Sequence, residues 1–130
     1  MEKRITEIKN LKPGSYVLID DVPCVVEKVQ LSKSGKHGSA KARMMARGVF
    51  EDVKKIIVHP GDTKMDVPII EKKTAQVIAL TGDHAQLMDL VDYSNFEVKI
   101  PDELKGQLAE GDEVTTWEYG VHRMIKGKKV

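Results

Sequence analysis

Cysteine is almost absent from this 130-residue chain: Cys24 stands alone, so no internal disulfide can form and a reducing compartment is expected. Long apolar runs are missing as well. The longest, Tyr16–Ile19 and Val77–Leu80, are four residues each, far short of the roughly 20 a membrane helix needs. The first thirty residues hold no apolar core of a secretory signal, which predicts a cytoplasmic protein with no membrane partner. Aromatic residues make up only 5% and proline is found five times, which excludes collagen-like and proline-rich tracts. Net charge is nearly absent at +1, although 32% of residues are charged. A single globular domain or two very small ones fit this length.

The near-zero balance hides an asymmetry. Residues 1–69 hold 13 basic and 9 acidic side chains, whereas residues 70–130 hold 8 basic and 11 acidic. Lys28, Lys33, Lys36, Lys41, Arg43 and Arg47 fall within twenty residues that contain no acid. Such a cluster suits a polyanion, or forms a solvated face whose acids arrive from elsewhere in the fold. The asymmetry also points to two modules.

Short segments with strand character dominate. Tyr16–Ile19 follows the Pro13-Gly14 turn, and Asp20-Asp21 separates it from the valine-rich Val22–Leu31. After the polar interval Ser32–Gly38, the set Ala40, Ala42, Met44 and Ala46 alternates with Lys41, Arg43, Met45 and Arg47. Period two predicts a strand with small apolar side chains inward and cations outward, although Ala, Lys, Arg and Met favour helix. Val53–Val58 predicts another strand, His59-Pro60-Gly61-Asp62 a turn, and Met65–Pro68 the close of a small barrel over residues 1–69. Beyond it, Lys73–Leu80, Ala85–Val91 and Ser94–Ile100 read as three strands. Pro101-Asp102-Glu103 opens a two-turn helix over Asp102–Ala109, and Val114–Tyr119 and Val121–Lys126 complete the order. Three strands, a helix and two strands over residues 70–130 are the sequence of elements in an OB-fold. The fold class expected is therefore all-β, two small barrels with one short helix.

Catalytic chemistry has little to stand on. Cys24 lies in the apolar Pro23-Cys24-Val25-Val26 and reads as a small buried hydrophobe. His37, His59, His84 and His122 are scattered without metal-ligand spacing. Gly35-Lys36 is no phosphate-binding loop, since Gln30 replaces the first glycine and His37 the Ser or Thr. No metal, no cofactor and no enzyme activity are expected. Trp117 and Tyr119 share a strand face and read as core and edge, and Phe96 as packing. The tip Gly35-Lys36-His37-Gly38 projects a lysine from the end of a long hairpin, and spacing alone favours a solvated tip whose charge guards the sheet edge.

The run Ser32-Lys33-Ser34-Gly35-Lys36-His37-Gly38-Ser39-Ala40-Lys41 resembles the modification loop of the translation initiation factor 5A family, archaeal type, which is related to bacterial elongation factor P. Leu11–Val17, Pro23-Cys24 and Met65–Pro68 extend the resemblance over essentially the whole chain. It implies an SH3-like barrel followed by an OB-fold domain. It implies that Lys36 is converted to deoxyhypusine or hypusine by deoxyhypusine synthase, which uses NAD and spermidine; the present chain would be substrate, not catalyst. Ser32, Lys33, Ser34, Gly35, His37, Gly38 and Ser39 would form the loop around it, with Ser34 where threonine is usual and Ser39 where eukaryotic members have histidine. The family binds the ribosome beside peptidyl-tRNA and promotes peptide-bond formation at slow, proline-rich sequences. Lys33, Lys41, Arg43 and Arg47 are then the expected RNA contacts. The alternative is a general RNA-binding or RNA-chaperone module that acts without lysine modification.

Overall fold

The computed structural model describes residues 2–33 and 40–129; the expected loop residues Ser34, Gly35, Lys36, His37, Gly38 and Ser39 lie outside them. The chain divides into two compact units, Met1–Ile69 and Ile70–Val130. Both are built from strands, so the fold is all-β, an SH3-like barrel and an OB-fold.

In the first unit β1 (Lys3–Glu7) pairs antiparallel with β6 (Lys64–Pro68). The strands β2 (Tyr16–Ile19), β3 (Val22–Lys33), β4 (Ala40–Gly48) and β5 (Lys54–Pro60) form an antiparallel sheet in that order. The alternation in β4 is realised. Ala42, Met44 and Ala46 are fully buried and join Ile8, Leu11, Val17, Ile19, Cys24 and Val26 in one core, while Lys41, Arg43 and Arg47 are exposed. Tertiary packing has overridden helix propensity, because only period two sends the alanines and Met44 to the same side. The Asp20-Asp21 turn between β2 and β3 has both residues at positive φ, 51° and 61°, as the tight turn of a two-residue hairpin requires.

Two details differ from the sequence expectation here. Strand β1 was not expected, since Ile5 is the one apolar residue in Lys3–Glu7 and it is 67% exposed. Ladder pairing with β6, not burial, holds this strand. Strand β5 also runs on through Pro60, so the turn is confined to Gly61-Asp62. Its neighbours in the sheet lie on one side only, where a proline without an N–H is tolerated.

In the second unit β7 (Glu71–Thr81), β8 (His84–Asp89), β9 (Asn95–Lys99), β10 (Glu113–Tyr119) and β11 (His122–Lys128) form one antiparallel sheet in the order β11-β10-β7-β8-β9. A bulge between Val77 and Ala79 bends the long β7, which pairs with β8 on one side and β10 on the other. Ala75, Val77, Ala85, Leu87, Val98, Ile100, Leu108, Val114 and Ile125 fill the interior. The expected two-turn helix is corrected to a single 3-10 turn, Asp102–Leu104. Lys105 is already extended at ψ 129° and Gly106 takes φ 76°, so the segment leaves helical geometry after its first turn despite the favourable Pro-Asp-Glu start.

Candidate nucleic-acid interface and modification hairpin

Strands β3 and β4 make an arm whose ladder runs from Cys24↔Gly48 to Lys33↔Ala40. Strand β2 covers β3 only as far as Val25. From Glu27 to Lys33 every β3 residue except Val29 is therefore exposed. A register shift between Val26 and Lys28 marks the departure of the arm from the barrel. Ser32 and Lys33 are exposed at its end, and Lys36 is the third residue beyond Lys33.

The return of the chain into β4 is anchored. The Gly61 N–H donates to the Ala40 carbonyl at 2.7 Å, and the Lys9 N–H donates to the Gly61 carbonyl at 3.1 Å. A Cβ on Gly61 would stand 3.3 Å from the Ala40 oxygen, a tight contact that a side chain there would relieve only by a small shift. The ladder and this anchor fix both flanks of residues 34–39.

The outward side of the sheet is read in rows. Ser32, Lys41 and Pro60 form one, Gln30, Arg43 and Val58 the next, and Lys28, Met45 and Ile56 the third. Among the described residues no carboxylate forms an ion pair with Lys28, Lys33, Lys41 or Arg43; the Arg43 Nη1 lies instead 3.8 Å from the Met45 sulfur. Arg47 is placed differently from the other three expected RNA contacts. Its Nη1 donates to Asp52 Oδ1 at 2.6 Å and its Nε lies 3.5 Å from Glu27 Oε2. The Asp52 bond, with Glu27 beside it, raises the guanidinium above its ordinary value. Lys33, Lys41 and Arg43 thus keep their positive charge for a partner, whereas Arg47 is neutralised internally. Alternate strand residues lie about 6.6–6.8 Å apart, a spacing that lets Lys41 and Arg43 meet neighbouring phosphates. Lys54, in register with Arg47 and exposed, extends this side from outside the acid-free run of residues 28–47, beyond Glu51 and Asp52.

The remaining candidates do not assemble into a reactive site. Cys24 is fully buried, burial pushes its thiol up, and its Sγ contacts the Val22 carbonyl at 3.3 Å. His84 Nδ1 lies 2.7 Å from Asp83 Oδ1, which holds the Asp83 carboxyl below its usual range. Among the described residues, no three His, Cys, Asp or Glu side chains gather to hold a metal ion, and no helix is long and apolar enough to cross a membrane. In the second unit Tyr119 is buried and Phe96 packs against the core beneath Arg123, 4.5 Å from its ring centroid.

Known proteins share this architecture and sequence. Residues 4–63 match the family model described as translation initiation factor 5A-like, N-terminal. Residues 69–126 match that described as eukaryotic elongation factor 5A hypusine, DNA-binding OB fold. A translation initiation factor 5A of Methanothermobacter thermautotrophicus is 53% identical over 98% of this chain and 99% of its own. That of Thermofilum pendens is 50% identical over 97% and 98%. A solved structure described as eukaryotic translation initiation factor 5A from Methanococcus jannaschii superposes with a TM-score of 0.86 at 42% identity, covering 98% of this chain and 95% of that one. With both halves matched and identity of about half sustained from end to end, the chain belongs to the translation initiation factor 5A family.

Proposed function

We propose that the chain is a ribosome-bound translation factor, not an enzyme, and that it acts in the cytoplasm through a deoxyhypusine or hypusine formed on Lys36. The observation that carries this reading is the β3–β4 arm. Its ladder brings Lys33 and Ala40 together, so residues 34–39 with Lys36 among them join the two strands, while Lys41 and Arg43 keep their charge on the same arm. Family membership supports it.

In the modification, deoxyhypusine synthase moves the 4-aminobutyl group of spermidine to the Lys36 Nζ. The carbon–nitrogen bond to the aminopropyl part of spermidine breaks, and the hydrogen displaced from Nζ passes to that nitrogen, so the remainder leaves as a propane diamine. NAD carries a hydride out and back, so there is no net oxidation. The lysine must attack as the neutral amine, and an arm that stands clear of the barrel suits delivery into a partner's pocket where that proton is removed.

On the ribosome the cations of the arm contact phosphates of ribosomal RNA or tRNA and position the factor without reading sequence. The lengthened, still cationic side chain reaches toward peptidyl-tRNA and holds its acceptor end in attack geometry, which lowers an entropic barrier. Proline-rich messages gain most, because the fixed φ of proline restricts productive approach.

The test is the intact mass of protein from its own source, together with Lys36→Arg, which keeps the charge but blocks the modification. The expected mass exceeds the sequence by one aminobutyl group, with or without one oxygen, on the peptide containing Lys36. Full rescue of proline-rich translation by Lys36→Arg would overturn the modified-lysine mechanism and leave an RNA-binding module.

A further inference from the structure

We infer that the outward face of β7, β10 and β11 is a second nucleic-acid contact, a site for single-stranded RNA centred on Trp117. In OB-folds the nucleic acid ordinarily meets the second and third strands and the adjoining loops. Here those strands are β8 and β9, and the register sets His84 opposite Lys99, Gln86 opposite Glu97 and Met88 opposite Asn95. That face has no aromatic platform, and a carboxylate sits in its middle row. The face around Trp117 has both ingredients that single-strand binding uses, cations along a track and an aromatic ring.

Strand β10 alternates Val114, Thr116 and Glu118 inward with Thr115 and Trp117 outward. Register pairs Trp117 with Lys72 on β7 and Met124 on β11, and pairs Thr115 with Thr74. The Lys72 Nζ lies 5.0 Å and the Lys126 Nζ 4.6 Å from the indole centroid. The Lys129 Nζ lies 3.3 Å from Thr74 Oγ1, beside them. Among the described residues no carboxylate pairs with any of these three ammoniums. Glu71, Asp89 and Glu118 are engaged on the other side of the sheet, around Lys73; Glu113 shares the outward face, one row beyond Thr115 and opposite Gln76, so the three lysines outnumber a single carboxylate there. A half of the chain with net negative charge therefore presents a cationic, aromatic face.

An ammonium over an indole is a weak and exchangeable contact at a solvated site. A phosphate offers Lys72 or Lys126 a stronger partner, and a lysine that turns to it uncovers part of the half-buried indole for a stacking base. Thr74 and Thr115 supply hydroxyls between the strands. The inference goes beyond the reading of Lys36 and does not depend on it.

Trp117 is the only tryptophan in the chain, so its fluorescence reports this site directly. The full chain is titrated with a 12-nucleotide oligouridylate at low salt. The expected result is a saturable change in Trp117 emission, with the double variant Lys72→Glu/Lys126→Glu binding at least tenfold more weakly. Each phosphate contact on a single strand contributes about 0.7 to the slope of log affinity against log salt, so losing two lowers it by about 1.4. Trp117→Ala, followed by anisotropy of labelled RNA, is expected to weaken binding with the slope unchanged. Lys41→Glu/Arg43→Glu should leave the Trp117 response intact. The inference is overturned if saturating RNA leaves Trp117 silent, or if Lys72→Glu/Lys126→Glu binds within twofold of the parent. It is also overturned if heparin matches the oligonucleotide in affinity and emission change, since the face would then be a generic polyanion patch. Loss of Lys36 function bears on none of these readouts.

Discussion

Lys73 pairs with three carboxylates, two of them buried, and Lys73→Met tests what that cation contributes. Its Nζ lies 3.2 Å from Glu118 Oε2, 3.5 Å from Asp89 Oδ2 and 3.6 Å from Glu71 Oε2. Asp89 and Glu118 are only 3% and 8% exposed. Methionine keeps most of the apolar stem and removes the cation. Breaking a buried ion pair typically costs about 3–5 kcal/mol, but two compensations remain. Glu118 still has the Arg123 Nε at 3.3 Å, and Asp89 Oδ1 still accepts the Val91 N–H at 2.7 Å and the Asp92 N–H at 3.2 Å. A net loss of about 2–3 kcal/mol follows. For a unit of this size that corresponds to roughly 10–20 °C in melting temperature. The assay is thermal unfolding of the full chain followed by Trp117 emission, which reports the second unit alone. The alkaline limb adds a sign check. The hydrogen bond to Glu118 raises the Lys73 ammonium above its ordinary value, so its contribution is complete below the unfolded lysine value of about 10.4 and fades as pH climbs through the higher native one. The gap between parent and variant should therefore be constant from neutral pH to about 10 and close above it. A Lys73→Met protein that melts within 3 °C of the parent at about pH 7, or a gap that persists at high pH, would refute the reasoning.

Arg43→Glu is expected to weaken ribosome association and flatten its salt dependence, with melting unchanged because the side chain is exposed and unpaired by acids. Arg47→Glu should affect association less and the fold more, since it sets a third carboxylate beside Glu27 and Asp52; cosedimentation with ribosomes across a salt titration separates the two, and unchanged association of Arg43→Glu counts against the interface. Gly48→Ala places a Cβ against the Glu51 carbonyl oxygen and 3.0 Å from Val53 Cγ2, at the turn where the Gly48 N–H donates to the Val53 carbonyl at 2.8 Å. Overpacking there should cost about 1–3 kcal/mol, read as a lower denaturant midpoint for the first unit. Cys24, fully buried with its thiol pushed up by desolvation, should resist a thiol reagent at mildly alkaline pH in the native chain and react once unfolded; rapid native labelling would contradict its burial.

What was legible in the sequence was whatever local pattern alone decides. In β4, glycines at positions 38 and 48 bracket the alternation, and the partition of Ala42, Met44 and Ala46 from Lys41 and Arg43 follows from period two. The five-strand order of the second unit was equally visible, because turn residues separate its strands. Strand β1 was hidden, since it borrows its order from a partner about sixty residues away and buries little of its own. The helix over Asp102–Ala109 was overestimated because its start signals are strong while its stop, Gly106, sits inside the segment. Arg47 could not be told apart from Arg43 by sequence: the acids that hold it, Glu27 and Asp52, come from outside the strand. Period two alone sets Trp117 and Tyr119 on one face as core and edge, whereas Tyr119 is buried and Trp117 is only half-buried. Only the register of β7 and β11 shows lysines closing on its ring.

The double use of β4 explains why the arm can serve as a handle. One side of the strand is the barrel core, where Ala42, Met44 and Ala46 are fully buried. The other carries Lys41 and Arg43 to solvent. A slip of one residue would send the cations into the core and Met44 into water, so the register is held by the full cost of burying charge. The one irregularity in the β3–β4 ladder falls between Val26 and Lys28, on the partner strand. The bond from Gly61 to Ala40 ties the distal end of β4 to the turn between β5 and β6, and the Lys9 N–H ties that turn to the segment after β1. Displacing the flanks of residues 34–39 relative to the cations would thus require opening core packing as well as backbone bonds. The placement of Lys41 and Arg43 relative to the end of the ladder at Lys33 and Ala40 is in this way set by the hydrophobic core of the first unit, so on the proposed function a lengthened side chain at position 36 would work from a frame that the modification leaves unchanged.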